Sequence, residues 1–564
     1  RRGVRRALRY HAHGQCCFLS YRGLGAGGGD ARAPGDAATA LSTALAPVAE
    51  APVDRSAQRP AQPVDVVIPV YNGRTYLPAL FDSLFANTPG DVRFIVIDDA
   101  SPDEAVWPLL QAWLAERADT VLLRNPTNRG FAGTVNRGAA AARGDFVLLN
   151  TDTEVPPGWL ARLVAPIAAD RAIASTTPFS NAATVCSFPE MNADNPLYRG
   201  LAPADIDSAF ARCAASASPI ELPTGVGFCM GVNAEAWRAV GGLDAAAFAR
   251  GYGEENDWCQ RAIAAGYRNV LVPDVFVYHK HGGSFEAAAR NSYQEAGMRV
   301  IHARYPDYQA QVDRLIRADP AAPIRAAAAL TLACTRADTP PVLIVDHDLG
   351  GGANSYRCGA VAARQAAGQP VLLLKVGAGS TAVLELLDGG STWRFAVNRP
   401  GDLDRLAACG LPLAEIVYNN MVGYSQPLAL LSALRHLRAA TGARLTVTVH
   451  DFFPVCPAYT LLDAQDRYCG IPDRATCRRC LPRNRHTADH AITQIDRWRT
   501  AWGAALAEAD SVLCFSHDSR RHIERAYPDV GARIRVTPHE ASVRFARQPQ
   551  VSAPAPINVG VVGG

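Results

Sequence analysis

The chain has 564 residues, 48% of them hydrophobic and 19% charged; this is a globular composition on a chain too long for one core, so roughly two to four domains are expected. With 56 basic and 53 acidic residues the net charge is only +3, which excludes the strong positive field of a typical nucleic-acid-binding protein. Fourteen cysteines over this length argue against a secreted disulfide scaffold, and the absence of any run of about eighteen apolar residues argues against a membrane span.

Residues 1–62 begin with a basic stretch and continue in Ala, Gly and Pro. The glycines of GLGAGGGDARAPGD follow no predicted strand, so they do not make a phosphate-binding loop, and we predict a disordered linker or the remnant of an upstream module. The chain starts at Arg1 and ends in INVGVVGG (557–564), which is typical of a strand and turn beginning another unit. We therefore expect a fragment of a longer protein.

Residues 63–305 contain short apolar runs that alternate with helical segments, a pattern that predicts a mostly parallel sheet covered on both faces. In such sheets ligands bind at the carboxyl ends of the strands. Three runs end in polar residues, YN (71–72), DDAS (98–101) and NTDTE (150–154), which we expect to meet at one edge. The predicted strands are VDVVIPV (64–70), VRFIVID (92–98), TVLLRNP (120–126) and DFVLLN (145–150).

Asp152 and Glu154 directly follow the last of these runs. Carboxylates that share a cation with substrate phosphates suit Mg²⁺ or Mn²⁺, which prefer oxygen ligands. Later in the chain, VLVPDVFVYHKHGGS delivers His279, whose neutral imidazole would complete a metal shell, beside Lys280, which would face phosphate. A solvated turn is the alternative for an isolated acid pair, and the additional polar clusters favour the cation site.

GYGEENDWCQRA places Glu254, Glu255 and Asp257 at the start of a predicted helix. Acids are stabilised there by the helix dipole, so helix capping is one interpretation. The other is catalytic, because two adjacent carboxylates in a cleft raise the pKa of one of them, as a general base requires.

Residues 64–285 resemble a family-2 glycosyltransferase of the GT-A fold, in the branch that contains rhamnosyltransferase-like enzymes. The resemblance implies inverting transfer of a sugar from a nucleotide-diphosphate donor with the help of Mg²⁺ or Mn²⁺. It is carried by motifs that occur in the family's order: VVIPVYNG, FIVIDDASPD, NRGFAGTVNRG, LLNTDTEVPPGWL, LPTGVGFCMGVNAEAWRAVGGLD, GYGEENDWCQRA and VYHKHGGS.

The resemblance also implies roles for individual residues. Asp152 matches the last acid of the family's metal-binding Asp-x-Asp motif, whereas Asn150 replaces the first acid with a neutral ligand. Glu255 matches the catalytic base, in a Glu254–Glu255 pair where the family has Glu-Asp. The implied sets are Pro69, Tyr71, Asn72, Asp98, Asp99, Arg129 and Gly130 for the donor; Thr224, Gly225, Gly227 and Trp258 for the acceptor; Asn150, Asp152, Glu154 and His279 for the metal; and Glu254, Glu255 and Asp257 for acid–base catalysis.

Residues 306–339 are predicted to be a helical linker to a second α/β unit at 340–556, which opens with a strand and a Gly-rich turn. DHDLGGGANSY, VHDFFPVCPAY, YCGIPDRATCRRCL, ADSVLCFSHDSRRHI and IRVTPHE resemble the Rossmann-like N-terminal half of a family-4 glycosyltransferase of the GT-B fold. Without the other half, this module is expected to be unable to transfer sugar by itself. The implied acceptor and phosphate contacts are Gly350, Gly351, Gly352, His450, Asp451 and Ser516.

Four cysteines of the second unit, Cys456, Cys469, Cys477 and Cys480, have part of the spacing of a structural zinc site. Paired C-x-x-C knuckles are absent, so buried or free thiols are the alternative, and the sequence leaves both open.

The resulting hypothesis is a cytoplasmic glycosyltransferase of surface polysaccharide biosynthesis that uses a nucleotide sugar, a saccharide or lipid-linked acceptor, and no nucleic acid. A lipid-linked acceptor would bring it to the inner face of the membrane as a peripheral protein. The alternative is a catalytically impaired carbohydrate-binding or scaffold protein built from transferase folds, which Asn150 favours. A nucleotide-dependent oxidoreductase would need a G-x-G-x-x-G turn after its first strand, and VVIPVYNG lacks one.

Overall fold

The computed structural model describes residues 39–45, 58–115, 117, 119–248, 252–280, 287–335, 338–377, 381–490 and 493–538. The chain divides into two compact units: the first extends to Leu332, and the second begins at Ala333 and includes Ala40–Ser42. The predicted linker at 1–62 lies largely outside the described residues, and the predicted start of another unit at 557–564 lies wholly outside them. In the described part of the chain, no helix is both long and apolar enough to cross a membrane.

The first unit is built on two sheets whose strands alternate with helices. After β1 (Thr39–Ala40), its strands are β2 (Asp65–Val70), β3 (Arg93–Asp98), β4 (Thr120–Arg124), β5 (Phe146–Leu149), β6 (Thr153–Glu154), β7 (Ile173–Phe179), β8 (Ile220–Leu222), β9 (Cys229–Val232), β10 (Arg268–Phe276) and β11 (Tyr278–His279). After α1 (Leu41–Ala44), its helices are α2 (Leu77–Asn87), α3 (Val106–Leu114), α4 (Gly130–Ala141), α5 (Trp159–Ala169), α6 (Pro203–Cys213), α7 (Ala234–Val240), α8 (Glu254–Ala264), α9 (Ala287–Arg304), α10 (Tyr308–Ala318) and α11 (Ala322–Thr335). The larger sheet has the order β4-β3-β2-β5-β9-β7-β10-β8, and β6 pairs with β11.

The centre of the larger sheet is parallel and apolar, because helices cover it. Val66 of β2 pairs with Phe94 of β3 on one side and with Val147 of β5 on the other. Helix α4 lies directly on these strands at Gly138, where an added Cβ would be 2.4 Å from Val67 Cγ1. Since β2, β3 and β5 run in the same direction, the polar residues that follow them emerge at one edge, as the sequence predicts.

The strands beside this parallel centre differ from the expectation. Strand β9 runs antiparallel between β5 and β7, so the Gly-rich stretch expected to line an acceptor is partly a buried strand. The sequence of β7, IASTTPF, carries small polar residues, and β9 is only four residues long, so neither has the apolar run that marks a strand. Residues 306–339, predicted to be a helical linker, are largely helical: they contain α10 and α11, and the chain up to Leu332 groups with the first unit.

The second unit is a nine-stranded sheet in the order β1-β15-β14-β13-β12-β16-β17-β18-β19. Its core strands are parallel, and β14 and β15 form an antiparallel hairpin that the sequence analysis missed. The predicted α/β class is thus confirmed in both units, while the GT-B nature of the second stays a prediction. The strands are β12 (Val342–His347), β13 (Val371–Val376), β14 (Ala382–Asp388), β15 (Ser391–Val397), β16 (Glu415–Tyr418), β17 (Arg444–Val449), β18 (Ser511–Cys514) and β19 (Ile534–Val536). The helices are α12 (Gly351–Ala366), α13 (Asp404–Ala408), α14 (Pro427–Thr441), α15 (Arg474–Cys480), α16 (Ile495–Glu508) and α17 (His517–Ala526).

Candidate active site

Three predicted cation ligands lie at the carboxyl edge of the first sheet: Asn150 after β5, Asp152 in the following turn and His279 in β11. His279 Nε2 lies 3.4 Å from Asp152 Oδ1. The Oδ1 atom of Asn150 is buried and has no hydrogen-bond partner among the described residues. The orphaned amide oxygen of Asn150, the acid two residues later and the imidazole beside that acid are the kinds of oxygen and nitrogen ligands that a divalent cation binds.

The orientation of the His279 ring is fixed by its neighbours. Its Nδ1 lies 2.7 Å from the carbonyl oxygen of Ala182, which can only accept, so Nδ1 carries the hydrogen and Nε2 faces Asp152. The ring stacks on Phe228 with centroids 4.9 Å apart. Burial lowers the pKa of His279, but the hydrogen bond and charge of Asp152 outweigh burial and raise it overall. A proton or a cation between Nε2 and the carboxylate would relieve the contact of two acceptors.

Glu154 does not join this group. In the antiparallel pair of β6 and β11, His279 is opposite Thr153, whereas Glu154 is opposite Tyr278, and neighbouring positions of a strand point to opposite faces. The pKa of Glu154 is raised overall, because the effect of burial outweighs the lowering effect of the Lys280 charge. Across the described ranges, no three His, Cys, Asp or Glu side chains come together as a metal site. The candidate cation site therefore has one acid, one imidazole and one amide oxygen.

A pair of glutamates, Glu254 buried and Glu255 half-buried, forms the second part of the site. Glu254 and Glu255 are the first two residues of α8, and Gly253, at φ +107°, immediately precedes the helix. The Oε2 atom of Glu254 is buried without a hydrogen-bond partner in the described structure. Burial, followed by the charge of Glu255, raises the pKa of Glu254 well above its ordinary value. Burial likewise raises the pKa of Glu255, so both carboxyls hold protons more tightly than ordinary glutamates.

The loop before β9 connects the two parts. The side chain of Glu255 lies about 3.9 Å from where a Cβ on Gly227 would be, and the next residue, Phe228, stacks on His279. The carbonyl oxygen of Phe228 accepts a hydrogen bond of 2.8 Å from the Asn150 backbone amide. Two neighbouring residues of one loop thus lie beside Glu255 and against two of the cation ligands, His279 and Asn150, which brings these groups together as one candidate site.

Helix α8 is fastened to this loop by three hydrogen bonds. The Thr224 hydroxyl donates to Asn256 Oδ1 at 2.8 Å, and the Gly225 amide donates to Cys259 Sγ at 3.2 Å. Gln260 Nε2 donates to the Pro223 carbonyl oxygen at 2.8 Å. Thr224 and Gly225, predicted as acceptor contacts, therefore orient α8, while Gly227 leaves space beside Glu255.

Two further residues of α8 have structural surroundings. Asp257 is fully buried, and its carboxylate accepts from Arg261 Nε at 2.9 Å, Arg304 Nη1 at 2.7 Å and the Tyr305 hydroxyl at 2.9 Å. Trp258 is also fully buried, with its indole nitrogen donating to a backbone carbonyl at 2.9 Å. Because both side chains are enclosed by protein, Asp257 acts here as an ion-pair centre and Trp258 as a core residue, neither lining an acceptor surface.

The predicted donor residues lie at the ends of β2 and β3. Asp98 is buried against Arg124 Nε at 3.0 Å. Asp99 Oδ1 accepts from Asn125 Nδ2 at 2.7 Å and from the backbone amide of Arg129 at 2.8 Å. The Arg129 side chain itself is exposed, which leaves its guanidinium accessible to an anion. Neighbouring Gly130 begins α4 with φ +71°.

Pro69, Tyr71 and Asn72 are half-buried at the end of β2. Asn72 has φ +55°, and its backbone amide donates to the Ser101 hydroxyl at 2.8 Å. Its side-chain oxygen accepts from the Asp103 amide at 3.2 Å. The two strand ends are therefore joined into one polar rim, as expected of a ligand-binding edge.

Comparison with known proteins now identifies the first unit, since residues 65–200 match the model described as "Glycosyl transferase family 2". Residues 65–200 form a glycosyltransferase family 2 domain. The matching relatives are glycosyltransferases, which supports a transferase enzyme. A pre-mycofactocin glycosyltransferase of Mycobacterium tuberculosis is 30% identical over 251 residues, 43% of this chain and 48% of that protein. A dolichol-phosphate mannosyltransferase of Pyrococcus furiosus is 33% identical over 106 residues, 18% of this chain and 30% of that protein.

The chain thus spans about half, or less, of the length of these curated relatives. Among solved structures, a mannosyltransferase from Pyrobaculum calidifontis in complex with GDP-Man and Mn²⁺ is similar at a TM-score of 0.34 and 18% identity. The match covers 58% of this chain and 86% of that one.

Outside the family 2 domain, the residues predicted for the second unit lie near the starts of α12 and α17 and after β17, and the His450 ring contacts Tyr356 of α12 and Phe515 beside Ser516. Gly350 and Gly351 both have φ +85° at the start of α12, a conformation that favours glycine. His450 Nε2 donates to Asn419 Oδ1 at 2.9 Å, and Asp451 accepts from Asn420 Nδ2 at 2.9 Å. The remaining two are Gly352, inside α12, and Ser516, which caps α17.

A cleft of about 560 Å³ in the second unit lies elsewhere, over β16 to β19, and none of those six residues lines it. Its lining includes Arg364, Glu415 and Asp510.

Sequence reasoning missed several residues that hold the family 2 site together. Asn181 accepts from the His279 backbone amide and donates to its carbonyl oxygen, both at 2.9 Å, so a side-chain amide fixes the end of β11. Phe228, which stacks on His279, is the single aromatic residue in TGVGFCMGV, and this was the one feature of the sequence that could have indicated its role.

In the second unit, sequence reasoning also missed Asp346. It is an acid inside an apolar strand, and it is fully buried against Arg357.

Proposed function

We propose that the family 2 domain transfers a sugar from a nucleotide-diphosphate donor to an acceptor hydroxyl by a single displacement. Glu255 is the general base, and Asn150, Asp152 and His279 hold a divalent cation at the donor diphosphate. The observation that carries the proposal is the loop at 227–228, in which Gly227 lies beside Glu255 and Phe228 contacts His279 and Asn150. Sugar transfer requires a base that activates the acceptor hydroxyl and a positive charge that stabilises the leaving diphosphate, so a carboxylate and a cation site side by side suit this reaction.

Glu255 fits the role of base because its raised pKa makes it a stronger proton acceptor than an ordinary glutamate. No Arg or Lys among the described residues forms an ion pair with Glu255 or Glu254, so neither carboxylate is neutralised. As the acceptor oxygen attacks the anomeric carbon, Glu255 takes its proton, and the bond from that carbon to the diphosphate breaks. Attack from the side opposite the leaving group inverts the anomeric centre.

The residues present fit a divalent cation. The orphaned Oδ1 of Asn150 is a neutral oxygen ligand, Asp152 supplies negative charge, and Nε2 of His279 faces them with its hydrogen on the far nitrogen. Bound there, Mg²⁺ or Mn²⁺ would offset the charge that develops on the leaving diphosphate. Phe228 and Asn181 keep the imidazole in position, and exposed Arg129 is available to the diphosphate from the β3 side.

The acceptor is proposed to be a saccharide or a lipid-linked glycan of surface polysaccharide biosynthesis, approaching over Gly227. The absence of a side chain there keeps the face of Glu255 open. The binding-protein alternative retains one supporting observation, because Asn150 gives the cation site less negative charge than two acids would.

The test is nucleoside diphosphate release by the full chain with UDP-glucose, GDP-mannose and dTDP-rhamnose, with Mn²⁺, with Mg²⁺ and with EDTA. We expect metal-dependent turnover of one donor, lost in Asp152→Asn and in Glu255→Gln but kept in the exposed control Glu190→Gln. Binding of a donor by calorimetry without turnover under any condition would overturn the proposal in favour of a binding protein. The anomeric configuration of the product, read by NMR, tests the displacement separately.

A further inference from the structure

The connection between β17 and α16 in the second unit holds a cluster of cysteines that sugar transfer does not use. The α-helix among its described residues is the short α15. Much of this long segment therefore has no regular secondary structure and is held in place by side-chain contacts. Its four cysteines are half-buried and form no disulfide. They are Cys456, Cys469, Cys477 and Cys480.

One arginine joins two of the cysteine-bearing pieces. Arg499 of α16 is buried, and its Nε donates to the carbonyl oxygen of Val455, the residue before Cys456, at 3.2 Å. Its Nη2 donates to Cys477 Sγ at 3.8 Å. A single guanidinium therefore holds the neighbourhood of Cys456 and the helix that carries Cys477 together.

One asparagine joins the third piece, the turn that carries Cys469, to the same helix. Nδ2 of buried Asn484 donates to the Leu462 carbonyl oxygen at 2.7 Å and lies 3.9 Å from Cys480 Sγ. The backbone amide of Cys469 donates a hydrogen bond of 3.0 Å to the carbonyl oxygen of the residue before Leu462. Asn484 therefore links the turn of Cys469 to Cys480. Cys477 and Cys480 are three residues apart in α15, which places them on one face of the helix. All four thiols are thus gathered from three pieces of backbone.

The four cysteines are near one another. Cys456 interacts electrostatically with Cys477 and Cys469. Cys477 interacts in turn with Cys469 and Cys480. Two hydrogen-bonded links and these mutual interactions therefore place all four thiols in one small region of the second unit.

We propose that these four cysteines bind one structural Zn²⁺ that fastens the connection between β17 and α16. Four thiolates in a closed shell suit zinc, and such a site stabilises a fold rather than catalysing a reaction. Arg499 and Asn484 then act as the outer hydrogen-bond donors that orient metal-bound sulfur. The sulfur atoms do not stand together as a metal site in the described structure, so binding draws α15 and the turn of Cys469 inward. The proposal is independent of the transferase site.

The experiment is metal analysis of the full chain produced in zinc-supplemented medium, followed by exchange with Co²⁺. We expect about one zinc per chain and, after exchange, the visible and thiolate charge-transfer absorption of tetrahedral cobalt. The double variant Cys477→Ser/Cys480→Ser should lose the metal, and the matched control Cys358→Ser/Cys409→Ser should keep it.

Wild-type protein without zinc that also gives no cobalt–thiolate absorption would refute the proposal, even if the cysteine variants fail to fold. So would zinc retained by the first double variant. Iron with acid-labile sulfide, or a disulfide among these cysteines found by mass spectrometry, would replace zinc with a different assignment.

Discussion

The two units differ in whether the acids near the carboxyl ends of their strands have an arginine or lysine as a partner. In the second unit, Asp346 and Asp348 lie against Arg357, and Lys375 Nζ is 3.1 Å from Asp348. In the first unit, the Glu254–Glu255 pair has no such cation among the described residues, and burial raises the pKa of both. A neutralised buried acid holds a fold together, whereas an unneutralised one costs stability and marks a candidate for chemistry.

The same contrast occurs within α8, two residues apart. Asp257 accepts hydrogen bonds from two arginines and a tyrosine, whereas Glu255 has no arginine or lysine as an ion-pair partner among the described residues and interacts with the carboxyl of Glu254. The first unit thus holds one acid of this helix in ion pairs and leaves the other without an ion pair among the described residues. If this contrast is meaningful, substitutions at the two positions must separate activity from stability.

The largest effect is expected from Glu255→Gln. Loss of the general base should lower kcat by about 10²–10⁴-fold, with the affinity for donor unchanged. Removal of a buried charge should leave the thermal midpoint unchanged or higher. Steady-state kinetics, donor calorimetry and thermal melts check this, with Glu190→Gln as control. Equal losses of kcat and of melting temperature would remove the contrast.

Asp257→Asn should do the reverse. Two arginines and a tyrosine lose their charged acceptor, so the free energy of unfolding should fall by about 1.5–3 kcal/mol. The kcat of the folded fraction should change little, because the Asp257 carboxylate is enclosed by protein and held by Arg261, Arg304 and Tyr305. Denaturant unfolding with activity measured below the transition tests this. A large fall in kcat at unchanged stability would assign Asp257 to catalysis.

Asn150→Asp would sharpen the comparison at the cation site. A second carboxylate raises the negative charge of the site, so the concentration of Mn²⁺ needed for half-maximal activity should fall roughly tenfold. Titration of activity with Mn²⁺ measures this, and Asn125→Asp, beside Asp99, is the matched control. An unchanged metal requirement would mean that the orphaned oxygen of Asn150 is not a ligand.

The glutamate pair also predicts a pH dependence. The base must be ionised, so kcat/KM should fall on the acid side through a pKa above the ordinary 4.5, one that belongs to the coupled pair. Because folding raises both values, the pair's stabilising contribution is complete below about pH 4.5 and is lost as pH rises through the raised pKa. Glu255→Gln should abolish this limb of the residual rate. A limb at ordinary glutamate pH would show that burial does not tune the pair.

Much of the first sheet could be predicted from the sequence, because β2, β3 and β5 are covered on both faces and read as apolar runs that end in polar residues. Strands β7 and β9 could not, since their small residues are buried by neighbours distant in the chain. The same limit applies to the site. The motifs place Glu255 and His279 in it, but the contacts through Phe228 and Asn181 depend on tertiary packing. The family resemblance implies Trp258 as an acceptor contact, and only the packing shows that its side chain is fully buried.

The smallest effect is expected in the second unit, from Asp348→Asn. Its carboxylate is partly exposed and shared between Arg357 and Lys375, and exposed ion pairs contribute little, so the free energy of unfolding should fall by less than about 1 kcal/mol. Sugar transfer by the family 2 domain should be unchanged, because this acid belongs to a neutralised cluster in the other unit. Donor turnover and denaturant unfolding of the full chain measure both. A clear loss of turnover at unchanged stability would mean that ion-paired acids of the second unit also contribute to sugar transfer. The lack of a counter-ion at a buried acid would then no longer distinguish the catalytic residues of the first unit from the acids of the second.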